Sequence, residues 1–333
     1  MQRSFKALLV SEKDGKYVRE IVERPFDSLP QGEVLVQVHY SSLNYKDALS
    51  AHGNKGVTKS YPHVPGIDAC GIVEESTSDD ILVGDKVIVT SYDLGMNTSG
   101  GFSEYIRVPA AWVVKLPTNL TLRESMIYGT AGFTAALSVS KLIRDVKRKD
   151  GTILVTGGTG GVATLAVKML KKLGYRVVVA TGKLDMQKNA LLKIGADEVI
   201  SREEVDDKSG RPLLKPKWAG VIDTVGGNIL ATALKTTQPN GVVTACGNIG
   251  GAKLETTVFP FILNGVSLKG IDSATCPMEI RQKVWESMAT DWKPDDLEDM
   301  VNEVDLKGLL SEIESIMNGQ HIGRTIVCLK PQK

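Results

Sequence analysis

The sequence predicts an α/β protein with a doubly wound parallel sheet and a separate β-rich domain ahead of it. Three observations carry this. Six short apolar runs between residues 152 and 273 alternate with helical patterns, the arrangement of parallel strands joined by right-handed crossovers. Four glycines within five residues, in ILVTGGTGGVATLAVKML (153–170), join one of those runs to an amphipathic helix. The first 120 or so residues read instead as short strands punctuated by Gly, Asp and Pro, which suggests a small barrel or sandwich. A chain of 333 residues has room for about two such domains.

In chain order, MQRSFKALLVSEKDGKY has too short an apolar core for a secretory signal and reads as a strand. EVLVQVHY (33–40) alternates apolar and polar residues after the turn LPQG. DACGIVEE (68–75), GDKVIVTSY (84–92) and GFSEYIRVP (101–109) are further strands, and NYKDALSA (44–51) is the helical exception. ESMIYGTAGFTAALSVSKLI (124–143) reads as one helix, followed by the polar stretch RDVKRKDG. The apolar runs TILVTG, RVVVATG, EVIS, GVIDTVG, GVVTACG and VSLKGIDS come next. Four of the six end in Gly, and small residues at the carboxyl ends of such strands let a ligand approach the backbone. MEIRQKVWESMAT (278–290) reads as a helix, and HIGRTIVCLK as a final strand whose place the pattern alone leaves open.

Composition narrows the function. Net charge is +1, with 42% apolar and 24% charged residues, so no strongly basic field offers itself to nucleic acid. No run of about 18 apolar residues stands out, so no membrane span is expected, and the cytoplasm is the expected location. Cys70, Cys246, Cys276 and Cys328 are far apart and form no C-x-x-C, which argues against a local zinc knuckle and a disulfide framework.

The glycine cluster has a strand before it and Val162, Leu165, Met169 and Leu173 after it at helical spacing, with Gly174 suited to the C-cap. The next strand completes a βαβ unit. Gly158-x-Gly160-x-x-Ala163 then matches the relaxed dinucleotide pattern. The first glycine allows a tight turn, the second lets backbone meet a pyrophosphate, and a small third residue lets helix pack on strand. The alternative is a glycine-rich turn with no ligand; the βαβ context favours the dinucleotide. The second strand ends in Thr181-Gly182-Lys183, with no carboxylate before Asp185 to hold free ribose hydroxyls. A hydroxyl, an open backbone and a cation suit a 2′-phosphate, and Arg202 at the end of the third strand offers a second cation. NADPH is therefore the expected cofactor.

Two neighbouring chemistries drop out. None of the eight tyrosines has a Lys four residues on, as a short-chain dehydrogenase needs. Of the histidines His39, His52, His63 and His321, the first three have no cysteine companion at ligand spacing, and the chain reads GID (66–68) where a zinc dehydrogenase carries Gly-His-Glu. No metal is expected.

Taken together, NYKDAL, PGIDACGIV, GFSEYIRVP, YGTAGFTAAL, VTGGTGGVA, GVIDTVGG and FPFILNGVSLKGIDS resemble a zinc-free medium-chain dehydrogenase/reductase. Within that family they most resemble the YhdH/YhfP quinone-oxidoreductase-like group, which includes acrylyl-CoA reductases of the AcuI type. The resemblance covers nearly the whole chain. It implies a GroES-like substrate domain at 1–124, with 296–333 returning to it, and a Rossmann domain at 125–295. It also implies NADPH contacts at Tyr45, Thr159, Gly160, Gly161, Val162, Ala163, Thr181, Gly182, Lys183, Arg202, Ile262 and Ser273. At Asn248, where related chains often carry Leu, it implies a backbone contact.

With no metal-ligand set and no obvious acid–base pair, the sequence suits hydride transfer to an activated C=C bond, which needs orientation, a dry site and a donor to the developing enolate oxygen. Tyr45 is the candidate catalytic residue, either positioning the cofactor or substrate or donating the proton. Asn44 and Asp47 read as turn and helix-cap groups. Thr130 either approaches the nicotinamide or starts its helix. The expected partner is a small-molecule enone, enoyl-CoA or quinone. Acrylyl-CoA, giving propionyl-CoA, is favoured by resemblance; NADPH:quinone reduction is the alternative, and a non-catalytic NADPH-binding redox sensor is the alternative of another class. VSLKGIDS as an edge strand would support a homodimer.

Overall fold

The structure, a computed structural model, describes residues 3–330. It divides into two compact units. The first comprises the residues up to Thr130, Ala274–Ala289 and those from Met300 on; the second comprises Ala131–Ser273 and Thr290–Asp299.

The chain begins with a hairpin of β1 (Ser4–Lys13) and β2 (Lys16–Pro25), turned at Asp14 and Gly15, both at positive φ. There follow β3 (Val34–Leu43), α1 (Tyr45–Ala51), β4 (Asp68–Ser76), β5 (Lys86–Thr90), β6 (Tyr105–Val108) and β7 (Val113–Lys115). The long helix α2 (Leu122–Ile143) leads into β8 (Ile153–Thr156), α3 (Gly161–Lys172), β9 (Val177–Thr181), α4 (Leu184–Lys193), β10 (Glu198–Ser201) and β11 (Trp218–Asp223). Then come α5 (Gly227–Thr236), β12 (Thr237–Ala245), α6 (Phe259–Asn264) and β13 (Ser267–Gly270). The chain closes with α7 (Met278–Ala289), β14 (Val301–Val304), α8 (Leu306–Met317) and β15 (Arg324–Cys328).

In the first unit a seven-stranded sheet runs β14-β15-β3-β4-β5-β7, with β6 also on β3. Alternation along β3 sends Val34, Val36 and Val38 into a core with Val73, Val87, Val89 and Ile106. β15 pairs antiparallel with β3, setting Ile326 opposite Ser42. In the second unit six strands run β10-β9-β8-β11-β12-β13, all parallel. This is the doubly wound order 3-2-1-4-5-6, whose direction reverses between β8 and β11; a ligand crevice belongs at the carboxyl ends there. Leu154, Val178, Val221, Val243 and Leu234 form its core. β13 lies at the sheet edge.

The structure corrects several expectations. The helix expected at 124–143 is broken at Gly129, at φ 51 and ψ −154. A methyl group there would lie 2.4 Å from Asp68 Oδ2 and 2.4 Å from Ser42 Oγ, so only glycine fits. The same helix is long and apolar enough to cross a membrane, but 78% of its most apolar 18-residue stretch is buried inside the protein. The expected domain boundary at 124/125 moves to 130/131, at this break. Residues 274–289, assigned above to the Rossmann domain, belong to the first unit. There Arg281 is buried and its Nη1 donates to Thr90 O (3.1 Å) and Thr90 Oγ1 (2.8 Å), and the Tyr128 hydroxyl donates to Met288 O. Residues 296–299 stay with the second unit, where Lys172 pairs with Asp295 and Lys193 with Asp299. β2, β14 and α8 carried too little alternation or punctuation to be placed from sequence.

Candidate functional site

In the second unit, β8 runs into the glycine loop and α3 starts at Gly161 with Gly160 as its N-cap. No side chain caps this helix, which leaves the N–H groups of Gly161, Val162 and Ala163 as the helix's unpaired donors. Each glycine has its own reason. Gly157 sits at φ 68 beneath Thr224, whose Oγ1 would be 2.4 Å from an added methyl. A methyl at Gly158 would fall 2.1 Å from Val179 Cγ1, so this residue lets helix and strand close. A methyl at Gly160 would meet only Gly157 O, at 3.4 Å; its outer side is open. Ala163 is fully buried, so its methyl packs inside. A diphosphate fits such a cradle of helix-terminal amides.

Asp223 fixes the neighbouring strand end. Its Oδ1 accepts from Thr156 Oγ1 (2.7 Å) and its Oδ2 from Gly226 N (2.7 Å), locking the carboxyl ends of β8 and β11 together. Burial raises its pKa above the ordinary carboxylate range, with those hydrogen bonds opposing. Burial likewise pushes the neighbouring Cys246 thiol up to about 12, so it is no nucleophile.

At the end of β9, Thr181 is buried and its Oγ1 accepts from Lys183 N (3.1 Å), which shapes the turn. Lys183 is half-buried, and burial lowers its pKa. Arg202, exposed at the end of β10, packs its guanidinium against Gly182, at 3.5 Å from where a methyl would stand. Among the described residues no carboxylate follows β9 before Asp185, while at the end of β10 Glu203 Oε1 lies 3.6 Å from Arg202 Nη2. A groove of about 1050 Å³ opens from Arg202 past Val225, Gly226 and Gly250, but it does not include the glycine loop. Asn248 is exposed after β12, and Gly251 N donates to its carbonyl. Ser273, after β13, accepts from Thr134 Oγ1 at 2.8 Å. Ile262 stands on α6, 67% exposed. The loop 159–163, Thr181–Lys183 and Arg202 thus come together at the ends of three adjacent strands.

In the first unit, Tyr45 is the first residue of α1 and is 42% exposed; its hydroxyl makes no hydrogen bond among the described residues. Asn44 and Asp47 cap that helix, with Asp47 Oδ2 accepting from Asn44 N (2.8 Å). Behind this turn lies a cluster that sequence reasoning missed. Asp68, fully buried, accepts from Ser42 Oγ (2.6 Å), Asn44 Nδ2 (2.7 Å), Thr130 Oγ1 (2.6 Å) and Thr130 N (2.9 and 3.0 Å). Arg324, 4% exposed, donates to Ile127 O, Leu43 O and Asn44 Oδ1. Burial lowers its pKa, while Asp68 and Asp47 hold it up. Asp47 is pushed up to about 7 by burial and by the charge of Asp68, against hydrogen bonds from Asn44 and Ile67. The available signal was a lone acid inside an apolar strand, VPGIDACGIV, since acids are rarely fully buried unless paired. Among the described residues no group of three or more His, Cys, Asp and Glu could hold a metal ion.

Comparison with known proteins bears on both units. Residues 30–118 match the alcohol dehydrogenase GroES-like domain, and residues 161–290 match the family described as zinc-binding dehydrogenase. YhfP of Bacillus subtilis, a quinone oxidoreductase by name, is 47% identical over 91% of this chain and 92% of its own length. Its crystal structure with NAD bound superposes with a TM-score of 0.95, covering 98% of this chain and all of that one. The acrylyl-CoA reductase AcuI of Ruegeria pomeroyi is 41% identical over 97% of this chain and 98% of its own. The yhdH oxidoreductase of Salmonella enterica, solved in complex with NADP, is 40% identical with a TM-score of 0.95, covering 98% of this chain and all of that one. The chain belongs to the medium-chain dehydrogenase/reductase family, in the group of YhdH, YhfP and AcuI, with a GroES-like domain and a Rossmann domain. It is an oxidoreductase.

Proposed function

We propose that this oxidoreductase uses NADPH to reduce the activated C=C bond of an α,β-unsaturated carbonyl, with acrylyl-CoA to propionyl-CoA as the favoured reaction. The observation that carries the cofactor is the pairing of an uncapped glycine cradle with the end of β9, which has Thr181 and Lys183 and no carboxylate among the described residues, and with Arg202 lying against it from the end of β10. The N–H groups of Gly161 to Ala163 would hold the diphosphate. Arg202, lying over Gly182, and Lys183 would hold the 2′-phosphate. Tyr45 would position coenzyme or substrate through its open hydroxyl, and Asn248, Ile262 and Ser273 are proposed as further contacts. When bound, the coenzyme supplies a hydride; the protein supplies orientation and a donor to the charge that develops on the substrate oxygen.

The substrate rests on the resemblance to AcuI. Quinone reduction is the second reading, favoured by the name of YhfP, and the NAD bound in that relative's crystal structure is the specific reason to test NADH as well. A redox sensor without turnover is the reading of another class. One experiment sorts them: oxidation of NADPH and NADH is followed with acrylyl-CoA, with a quinone and with no acceptor. Consumption of NADPH with acrylyl-CoA alone is the expected result. Tight binding without turnover on a broad enone panel overturns the enzyme reading.

The four free cysteines suit a reducing compartment, and the cytoplasm is the proposed location. A homodimer is proposed through the edge strand β13. Beside it in the chain, Val258, Phe259, Ile262 and Leu263 are all exposed. A monomeric mass at micromolar concentration contradicts it.

A further inference from the structure

The stretch Thr290–Asp299 belongs to the second unit, although the chain on either side of it, α7 and β14, belongs to the first. It forms no helix or strand and is held to α3 and α4 by three of their lysines. We propose, resting on the reading of Gly161–Ala163 as the diphosphate cradle, that this stretch is a latch that sets where α3 stands, and that Lys168 is a positioning residue for the coenzyme.

Lys168 is the centre of the contact. Its side chain is 1% exposed, and its Nζ donates to Asp296 O and lies 3.5 Å from Asp296 Oδ2. Lys172, the last residue of α3, pairs with Asp295 at 2.7 Å. Lys193, the last residue of α4, pairs with Asp299 at 3.2 Å. Leu297, 4% exposed, is an apolar anchor among these polar ones. Within the latch, Lys293 N donates to Thr290 O and Asp299 N to Asp296 O, each at 3.1 Å. The latch therefore grips the later halves of both helices. Their opposite ends are the ones read above as coenzyme contacts, since α3 starts at Gly161 and Lys183 is the N-cap of α4.

Lysine is rarely buried unless it is paired. Lys168 follows Leu165 and Val167 and precedes Met169 and Leu170, all of them buried. An apolar side chain would fill such a place without the cost of desolvating a charge. What the ammonium adds is direction: its hydrogens reach one particular backbone carbonyl, so helix and latch meet in a single register. Burial lowers its pKa, and the charges of Asp296 and Asp299 oppose that. Helix α3 is stiff, and Lys168 stands ~10 Å along it from Gly161. A shift at the latch is thus carried to the N–H groups of the first turn, which hold an anion only within hydrogen-bond distance. Met300, where the chain leaves the latch, sits at φ 65, a conformation costly for a non-glycine residue, so the exit is fixed as well.

The test uses the full chain with NADPH and NADH. Lys168→Met keeps the stem and removes the donors. It is expected to raise the Kd of both coenzymes by a similar factor of about ten, the order of one charge-assisted hydrogen bond lost at the cradle. A purely structural lysine would lower the melting temperature and leave both Kd values unchanged. Leu297→Ala, which loosens the latch from its other side, is expected to weaken both coenzymes in the same way, and it reads the proposal even if Lys168→Met does not fold. In the natural protein, added NADPH should slow hydrogen exchange in 290–299 by about the same factor as in α3. Natural affinity in either folded variant, a loss confined to NADPH, or exchange in 290–299 that ignores the coenzyme overturns the latch. If the natural protein binds neither coenzyme, the cradle reading fails instead.

Discussion

In the Rossmann unit the stretch Gly157–Gly161 works with backbone: amides at a helix start, and glycines that a methyl would jam against Val179 or Thr224. In the GroES-like unit Asp68 works with side chains drawn from β3, the turn before α1, the broken helix α2 and β15. The first is a local device, open at the helix start. The second is a long-range device that is closed, because every polar group it buries needs a partner. The two should therefore fail differently when altered.

Asp68→Asn removes the carboxylate that accompanies Arg324 in a sealed site. Leaving a buried charge without its partner costs about 3–5 kcal/mol, the largest effect expected in the molecule. Denaturant melts should show it as a lower midpoint, and a loss below about 1 kcal/mol would mean that Arg324 is satisfied otherwise. Gly158→Ala forces a methyl to within 2.1 Å of Val179 Cγ1, an overpacking that costs about 1–3 kcal/mol. Its distinguishing mark is weaker NADPH binding, measured by fluorescence titration; stability lost with affinity unchanged would separate the loop from the coenzyme. The smallest change at neutral pH is expected for Asp47→Asn, where relief of a raised carboxyl offsets a lost acceptor. Because folding raises Asp47 from 3.8 to about 7, the folded state holds a proton that the unfolded chain has released over that range. Its contribution to stability thus falls as pH rises from about 4 to 7. Asp47→Asn should flatten that slope relative to the natural protein, and parallel stability curves would contradict the raised pKa.

The same contrast explains what could be read from the residues. The glycine loop was legible because its glycines cluster between strand and helix within one βαβ unit, with Gly157 and Gly158 at places where a methyl would clash. The six parallel strands were legible for a similar local reason, as apolar runs closed by glycine. The Asp68 cluster was not, because Ser42, Asp68, Thr130 and Arg324 are separated by up to 282 positions and nothing local joins them. Gly129 illustrates the limit. In sequence it is one small residue in an apolar helix, and only contact with Asp68, Ser42 and Arg324 turns it into a break. The placement of α7 failed likewise, since the partners that bury Arg281 lie far back at Thr90.

The central claim is that the ends of β8, β9 and β10 grip a diphosphate and an added 2′-phosphate. Calorimetric titration of the protein with NADPH and with NADH, at one fixed salt concentration, tests it most directly. The account predicts that NADPH binds at least about tenfold more tightly, a difference of about 1.4 kcal/mol, and that Arg202→Ala removes most of that preference. Equal or tighter binding of NADH, as the NAD found in YhfP makes worth checking, or no binding of either coenzyme, would contradict it.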